Sequence, residues 1–128
     1  MLVIGAGAAG SAAAFHLAAA GQRVTLLEQN AHQTIKPCGG GMAAAVQEWF
    51  PFDLQSVVDE VIERVEFSWQ LSDPVVADLQ DSAPFWIVRR EKLDALLTSQ
   101  AIDAGAELLR PFTVKSLQRQ KERWQVTA

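Results

Sequence analysis

Cysteine is nearly absent from this sequence, since Cys38 is its single example. One thiol cannot form an internal disulfide, and it leaves too few thiolates for a cysteine-based zinc or iron–sulfur site. We therefore expect no metal site. The same shortage of cysteine favours a reducing, cytoplasmic compartment.

Dense runs of lysine or arginine are missing as well, and the formal net charge is −4. Proteins that bind nucleic acids typically carry a basic patch or stripe that neutralises phosphates. This composition therefore predicts no nucleic-acid partner.

The sequence also lacks a long apolar run. The stretch Met1–Ala20 is interrupted by Gly5, Gly7, Gly10 and His16, and no basic residue precedes it. A membrane helix needs roughly 20 consecutive apolar residues, and a secretion signal begins with positive charge. We expect neither a transmembrane segment nor a secretion signal.

What is present at the start of the chain predicts a β–α–β unit within one globular domain. Leu2–Ile4 is a short apolar run that stops at glycine, as a strand buried on both faces would. The alanine-rich segment Ala8–Ala20 favours a helix, and Gly21 suits its C-terminal end. Val24–Leu27 predicts the second, parallel strand, because a crossover of this length permits parallel pairing.

Residues 29–41 form a long loop, after which the pattern predicts a helix, several strands and a terminal hairpin. Val65, Phe67 and Trp69 alternate with polar residues, which is typical of a half-buried strand. Tryptophans are expected to be core or inter-sheet residues: Trp49, Trp69, Trp86 and Trp124. The predicted elements are a helix at 42–49, strands from 61 onward and at 75–79 and 85–88, a helix at 91–103, a parallel strand at 107–109, and a hairpin of 112–117 and 123–127.

The segment GAGAAG, from Gly5 to Gly10, matches the G-x-G-x-x-G pattern of dinucleotide-binding folds. Gly5 permits a sharp turn, Gly7 lets the backbone approach a pyrophosphate, and Gly10 allows the helix to lie close to the sheet. The helix N-terminus then offers free N–H groups to phosphates. The alternative is a glycine-rich turn between an ordinary strand and helix, but the flanking strand and helix favour nucleotide binding.

Glu28 ends the second predicted strand, where a carboxylate can accept hydrogen bonds from the adenosine ribose hydroxyls. Its charge would repel a 2′-phosphate, so NADP is disfavoured at this site. The alternative for Glu28 alone is a solvated carboxylate at a strand end. Together, these features predict an α/β fold with a Rossmann-like parallel sheet, followed by antiparallel strands.

Three motifs resemble those of the geranylgeranyl reductase family. IGAGAAG, at 4–10, is similar to the FAD motif of glutathione-reductase-like proteins, although Ala8 stands where many of them have proline. KPCGGG, at 36–41, resembles the signature of the geranylgeranyl reductases and is the more specific match. Arg90-x-x-Leu93-Asp94, followed by AGAE at 104–107, is similar to a helix of the same family.

This resemblance implies an FAD-dependent oxidoreductase with the p-hydroxybenzoate-hydroxylase-like fold, which reduces carbon–carbon double bonds in prenyl chains. The implied substrates are a prenyl-chain lipid, a quinone or a chlorophyll precursor. The implied electron donor is NAD(P)H or a ferredoxin-type protein. A membrane surface is a further partner that this substrate class allows, so the expected location is cytoplasmic, with peripheral membrane association left open.

The resemblance also assigns roles to residues of the loop. Cys38 is the predicted catalytic residue, near the flavin and substrate, with an inert loop residue as the alternative. Lys36 can pair with the pyrophosphate, or it is simply a solvated side chain. Arg90 is expected to reach the FAD phosphates, with an ion pair to Asp94 as the alternative. The predicted cofactor-binding residues are Gly5, Gly7, Ala8, Ala9, Gly10, Glu28, Gln29, Lys36, Gly39, Gly40, Gly41 and Arg90.

An enzyme of this type is expected to have two or three domains by length, whereas 128 residues suffice for one. We therefore interpret residues 1–128 as a truncated N-terminal FAD-binding domain in which residues 61–88 supply the first strands of a substrate sheet. Two alternatives remain: a fragment of an aromatic-hydroxylase-type flavin monooxygenase, against which KPCGGG argues, and a nucleotide-binding fragment without catalysis.

Overall fold

The structure is a computed structural model that describes residues 1–79 and 84–128. The chain divides into two compact units, one formed by Met1–Ile35 with Asp94–Ala128 and the other by Lys36–Leu93. The strands are β1 (Leu2–Ile4), β2 (Thr25–Leu27), β3 (Gly41–Ala43), β4 (Val58–Ile62), β5 (Arg64–Trp69), β6 (Ser72–Asp78), β7 (Phe85–Val88), β8 (Glu107–Leu109), β9 (Ser116–Gln120) and β10 (Arg123–Thr127), and the α-helices are α1 (Ala8–Ala19) and α2 (Arg90–Asp103).

The first unit is built on a parallel sheet with the strand order β1-β2-β8. Leu26 lies in the middle strand, paired with Val3 on one side and Leu108 on the other, and it is fully buried. The sequence predicts this βαβ unit and the return of the third parallel strand. The α/β fold class is confirmed.

Helix α1 buries one face, because Ser11, Ala14, Phe15 and Ala18 recur at the spacing of a helical stripe. Gly21 ends the helix with φ +77°, a conformation that glycine adopts without strain. From Asp94 onward, the buried residues of α2 follow the same spacing: Asp94, Leu97, Thr98 and Ala101. A buried hydrogen bond of 2.8 Å joins Ser11 Oγ to Thr98 Oγ1 and ties the two helices together.

The second unit contains an antiparallel sheet with the order β3-β7-β4 and a separate hairpin of β5 and β6. Trp86 and Val88 of the central strand β7 are buried, together with Phe50, Leu54 and Val57 from the short 3₁₀ segments Ala44–Trp49 and Gln55–Val57 and their flanks. Residues 80–83, which belong to the predicted 61–88 strand region, lie outside the described residues.

The predicted helix at 42–49 is confirmed over Ala44–Trp49, where it is a 3₁₀ helix, and is wrong at its start. Residues 41–43 instead form strand β3, paired with Phe85–Ile87. Long-range pairing with β7 therefore outweighs the helical preference of the alanines. The first strand of the terminal hairpin is Ser116–Gln120, later than the predicted 112–117. Its backbone pairing runs through exposed polar residues, which an apolar pattern does not mark as a strand.

Several apolar side chains predicted to be buried are exposed. Leu2 and Ile4 are 43% and 49% exposed, since β1 is the edge of the parallel sheet among the described strands. Of the four tryptophans, Trp86 alone is buried. The hairpin β5–β6 exposes Phe67 and Trp69 in place of the expected half-buried face. No helix in the described part of the chain is long and apolar enough to cross a membrane.

Candidate functional site

The turn between β1 and α1 has the geometry that the glycine pattern predicts. Gly5 has φ +94°, and its N–H donates to the carbonyl of Leu27 at 2.7 Å. A Cβ at Gly10 would lie 1.8 Å from the carbonyl oxygen of Gly5, so this close approach of helix and turn requires glycine. A Cβ at Gly7 would meet only Asp94 Oδ2, at 3.9 Å, so the fold itself does not demand glycine there.

No side chain of the N-cap residue caps the first backbone N–H groups of α1. Gly7 is the N-cap residue and offers no side chain to the first N–H groups of the helix, and the first turn contains no acidic residue. The N–H groups of a first helical turn have no partner within their own helix. Ala8, Ala9 and Gly10 form this turn, where backbone N–H groups and the helix dipole favour a phosphate.

Glu28 is half-buried and lies within the same turn region. Its Oε2 accepts a hydrogen bond of 2.8 Å from the backbone N–H of Ala6. Its Oε1 accepts from the backbone N–H of Asn30 at 2.9 Å and from Asn30 Nδ2 at 2.8 Å. The carboxylate is therefore oriented by hydrogen bonds, in contrast to the solvated strand-end alternative. Nothing in the sequence pattern predicts the role of Asn30, because its two contacts with Glu28 depend on how the chain turns after β2.

A cavity of about 230 Å³ opens beside Glu28 at the carboxyl ends of β1 and β2. Phe112 is held there by its backbone N–H, which donates to the carbonyl of Glu28 at 2.7 Å. No sequence pattern predicts Phe112 or Val114 at this site, because they reach the cavity through the pairing of β8 with β2. The lining combines the apolar side chains of Ile4, Leu27, Phe112 and Val114 with Gly5, Glu28 and Gln29.

The second unit contains the other predicted site residues. Lys36, Cys38 and Gly39 are exposed, and Arg90 is half-buried at the first position of α2. Cys38 Sγ accepts a hydrogen bond of 3.4 Å from the backbone N–H of Gly40. This contact holds the thiol side chain against its own loop.

The three glycines after Cys38 differ in what surrounds them. A Cβ at Gly40, where φ is +75°, would lie 1.9 Å from the carbonyl oxygen of Val88, and a Cβ at Gly41 would lie 2.6 Å from the ring of Phe85. Gly40 is therefore required by the backbone of β7, whereas a side chain at Gly41 would displace the exposed ring of Phe85. A Cβ at Gly39 would meet nothing within 4 Å. Gly39 is the position in this loop where an outside group can approach the backbone without displacing the protein.

An exposed ion-pair cluster lies elsewhere in the second unit. Arg89 Nε is 2.6 Å from Asp59 Oδ2, and Lys92 Nζ is 3.6 Å from Asp59 Oδ1. The hydrogen bond from Arg89 lowers the pKa of Asp59, and the same carboxylate raises the pKa of Arg89. Within residues 1–79 and 84–128, no three histidine, cysteine, aspartate or glutamate side chains are placed to hold a metal ion.

Comparison with known proteins places this site in context. Residues 1–125 match the sequence profile of a family described as an FAD binding domain. The chain is 34% identical, over 109 residues, to a chloroplastic geranylgeranyl diphosphate reductase of Oryza sativa subsp. japonica. The aligned region covers 84% of this chain and 23% of the rice protein. This similarity agrees with the resemblance carried by the KPCGGG segment.

Two solved structures have a similar fold. A geranylgeranyl bacteriochlorophyll reductase-like protein of Thermoplasma acidophilum superimposes with a TM-score of 0.84 at 20% identity, over 96% of this chain and 32% of that protein. The halogenase PltM, in complex with phloroglucinol and FAD, gives a TM-score of 0.78 at 19% identity, over 98% of this chain and 30% of that protein. The chain thus spans less than a third of the length of each of these three proteins.

Proposed function

This chain belongs to the FAD binding domain family, with FAD as its cofactor, and from that premise we propose that it is the cofactor-binding part of an oxidoreductase that reduces carbon–carbon double bonds in prenyl chains. The flavin-dependent oxidoreductase class follows from the family. The prenyl substrate is supported by KPCGGG at 36–41 and by the 34% identity to the rice reductase.

The residues of the first unit fit the adenosine diphosphate half of FAD. Gly7 would let the pyrophosphate approach the backbone, and the first N–H groups of α1 would bind it. Glu28 would accept hydrogen bonds from the ribose hydroxyls, since its orientation is already set by Ala6 and Asn30. The cavity beside Glu28 would take the adenine, whose flat faces suit the apolar lining.

FAD, when bound, supplies hydride transfer, and the protein orients the substrate and excludes water. Within the second unit, we propose that Lys36 and Arg90 offer positive charge to the phosphates. Gly39 offers an open backbone position. Cys38 is the proposed catalytic residue, because its thiol is exposed and fixed by the N–H of Gly40. It would set the position of the reacting double bond or relay a proton to it.

The proposed substrates are a prenyl-chain lipid, a quinone or a chlorophyll precursor, with NAD(P)H or a ferredoxin-type protein as the electron donor. The exposed apolar side chains Phe67 and Trp69 support an apolar substrate, because they give the hairpin β5–β6 a surface compatible with hydrocarbon. We propose a cytoplasmic location for the protein, with contact to a membrane surface where such substrates reside.

A chimera tests the substrate class directly. This chain would replace the matching segment of the rice reductase, and reduction of geranylgeranyl diphosphate would be followed by mass spectrometry. A chimera carrying Gly7→Val is the matched control for cofactor loading. Reduction by the chimera and its loss in the control would support the proposal. A chimera that binds FAD but reduces no double bond would contradict prenyl reduction and favour another flavin chemistry, or a nucleotide-binding role without catalysis.

A further inference from the structure

The basic residues of this chain are concentrated in one segment. Residues 110–123 contain five of the eleven lysines and arginines and one of the fifteen aspartates and glutamates. The rest of the chain therefore has fourteen acidic residues against six basic ones. Positive charge gathered in one segment of an otherwise acidic chain is typical of a surface that attracts an anionic partner.

The hairpin β9–β10 carries most of these positive charges and has two different faces. Residues directly opposite each other in its antiparallel register lie on the same face. One face is largely uncharged and polar, and on it Gln120 Nε2 donates a hydrogen bond to Gln125 Oε1. The other face combines apolar side chains with a basic one, and we call it the Trp124 face: Leu117, Arg119, Trp124 and Val126.

The apolar side chains of the Trp124 face are exposed. Leu117 is 51% exposed and Trp124 is 64% exposed. Arg119, directly opposite Trp124, is exposed as well, and so are Lys121 and Arg123 at the turn. Tryptophan favours the headgroup level of a membrane, and lysine and arginine attract anionic headgroups. The composition of this face therefore fits the surface of an anionic membrane.

The hairpin β5–β6 provides a comparison within the same chain. It also exposes an aromatic side chain, since Trp69 is 77% exposed. Its two strands, however, contain three acidic residues and one basic residue: Glu66, Asp73, Asp78 and Arg64. An anionic surface repels this hairpin and attracts β9–β10. Charge therefore distinguishes two hairpins that both expose tryptophan.

We propose that the Trp124 face binds the surface of a membrane that contains anionic lipids. Trp124 and Leu117 enter the headgroup region, while Arg119 and Lys121 attract the lipid phosphates. The inference rests on the proposed function for its purpose, because a prenyl-chain substrate resides in such a membrane. A nucleic acid fits this face less well, since Leu117 and Val126 offer no flat surface on which bases stack.

Co-sedimentation of the purified chain with lipid vesicles tests the role of charge. Vesicles of phosphatidylcholine alone are compared with vesicles of equal parts phosphatidylcholine and phosphatidylglycerol. Binding should require phosphatidylglycerol and weaken as salt is added. In Arg119→Gln/Lys121→Gln, the partition coefficient should fall about 30-fold, because two cations are removed from the anionic surface. Arg23→Gln/Arg64→Gln is the matched control, since it changes the net charge equally outside the hairpin and should leave binding nearly unchanged.

Tryptophan fluorescence tests which hairpin meets the lipid. Phosphatidylcholine brominated on its acyl chains, included in the anionic vesicles, should quench the fluorescence of the unaltered chain. Trp124→Phe should lose most of this quenching. Trp69→Phe is the matched control, because it removes an equally exposed tryptophan from the acidic hairpin, and it should keep the quenching.

Several results would overturn the inference: no binding to anionic vesicles, equal binding to both kinds of vesicle, equal losses in the two double variants, or quenching retained in Trp124→Phe. Tighter binding to single-stranded oligothymidylate than to anionic vesicles would favour the nucleic-acid alternative and overturn it as well. If a variant does not fold, the lipid and salt dependence of the unaltered chain decides. A chain that binds ADP or FAD but no anionic vesicle loses this inference alone. A chain that binds anionic vesicles but neither nucleotide loses the proposed function alone.

Discussion

The carboxylate of Glu28 accepts a 2.8 Å hydrogen bond from the backbone N–H of Ala6, which joins the end of β2 to the glycine turn after β1. The side chain expected to bind the ribose therefore also shapes the turn expected to bind the pyrophosphate. Asn30 completes the arrangement by donating to the other carboxylate oxygen. The proposed contacts to adenosine and to phosphate are therefore linked through this one carboxylate.

Replacing Glu28 should separate its two roles. Glu28→Gln keeps one acceptor oxygen and loses the charge, so either the N–H of Ala6 or the donors of Asn30 lose their partner. Adenosine affinity should weaken by about 1–2 kcal/mol, with a smaller loss of unfolding free energy than in Glu28→Ala. Glu28→Ala removes the acceptor as well, and affinity should weaken by about 1–3 kcal/mol with a measurable loss of stability. Calorimetry with ADP and thermal unfolding measure the two effects. Unchanged ADP affinity in both variants would remove Glu28 from the site.

Gly7 and Gly10 should respond differently to a side chain. Gly10→Ala places a methyl group 1.8 Å from the carbonyl oxygen of Gly5, and the resulting shift should destabilise the fold by about 1–3 kcal/mol. Gly7→Ala meets no backbone atom and should leave stability nearly unchanged while weakening ADP and FAD. Chemical denaturation and calorimetry on the same samples separate the effects. Equal losses of stability in both variants would contradict the assignment of Gly7 to a ligand.

The glycines at 39–41 provide a second matched set. Gly40→Ala should destabilise the second unit, because its methyl group would collide with the backbone carbonyl of Val88. Gly41→Ala should cost less, because the exposed ring of Phe85 can move. Gly39→Ala has open space and should fold like the unaltered chain. Thermal unfolding measures the difference, and Gly39→Ala in the rice chimera should weaken FAD retention. A destabilised Gly39→Ala variant would show that this glycine also serves the fold.

Cys38→Ser tests the proposed catalytic residue. Serine retains a small polar side chain that can accept from the N–H of Gly40, so the loop should keep its shape. In the flavin-loaded chimera, we expect slower reduction of the prenyl substrate with nearly unchanged FAD affinity. Equal turnover would support the inert-loop alternative for Cys38.

The sequence predicts the parts of the site that local geometry dictates. The turn at Gly5–Gly10 has recognisable spacing because backbone conformation and close approach act over a few residues, and Glu28 follows at the end of the next strand. Phe112 could not be predicted, because it reaches Glu28 only through the pairing of β8 with β2. The sequence presents Asp94 as part of the family motif and as an ion-pair partner for Arg90, although its spacing with Leu97 and Ala101 also places it on the buried face.

The errors in the fold have the same physical origin. Residues 41–43 form a strand because β7 offers a partner distant in sequence, which outweighs local helix propensity. Trp69 and Phe67 alternate as a half-buried strand would, yet they are exposed because the described residues do not cover that face of the hairpin. Periodicity identifies the strand and its apolar face, but only the tertiary structure shows whether that face is covered.

Nucleotide binding by the chain itself tests the central claim most directly. The purified 128-residue chain would be dialysed, examined for flavin absorbance, and titrated with ADP, FAD and FMN by calorimetry, with Gly7→Val as the control. Because the polar groups of the first unit are proposed to bind the adenosine diphosphate half of FAD, we predict similar affinities for ADP and FAD, loss of flavin on dialysis, and no binding of FMN. Absence of ADP and FAD binding, or binding that is unchanged in Gly7→Val, would contradict the assignment of the dinucleotide site.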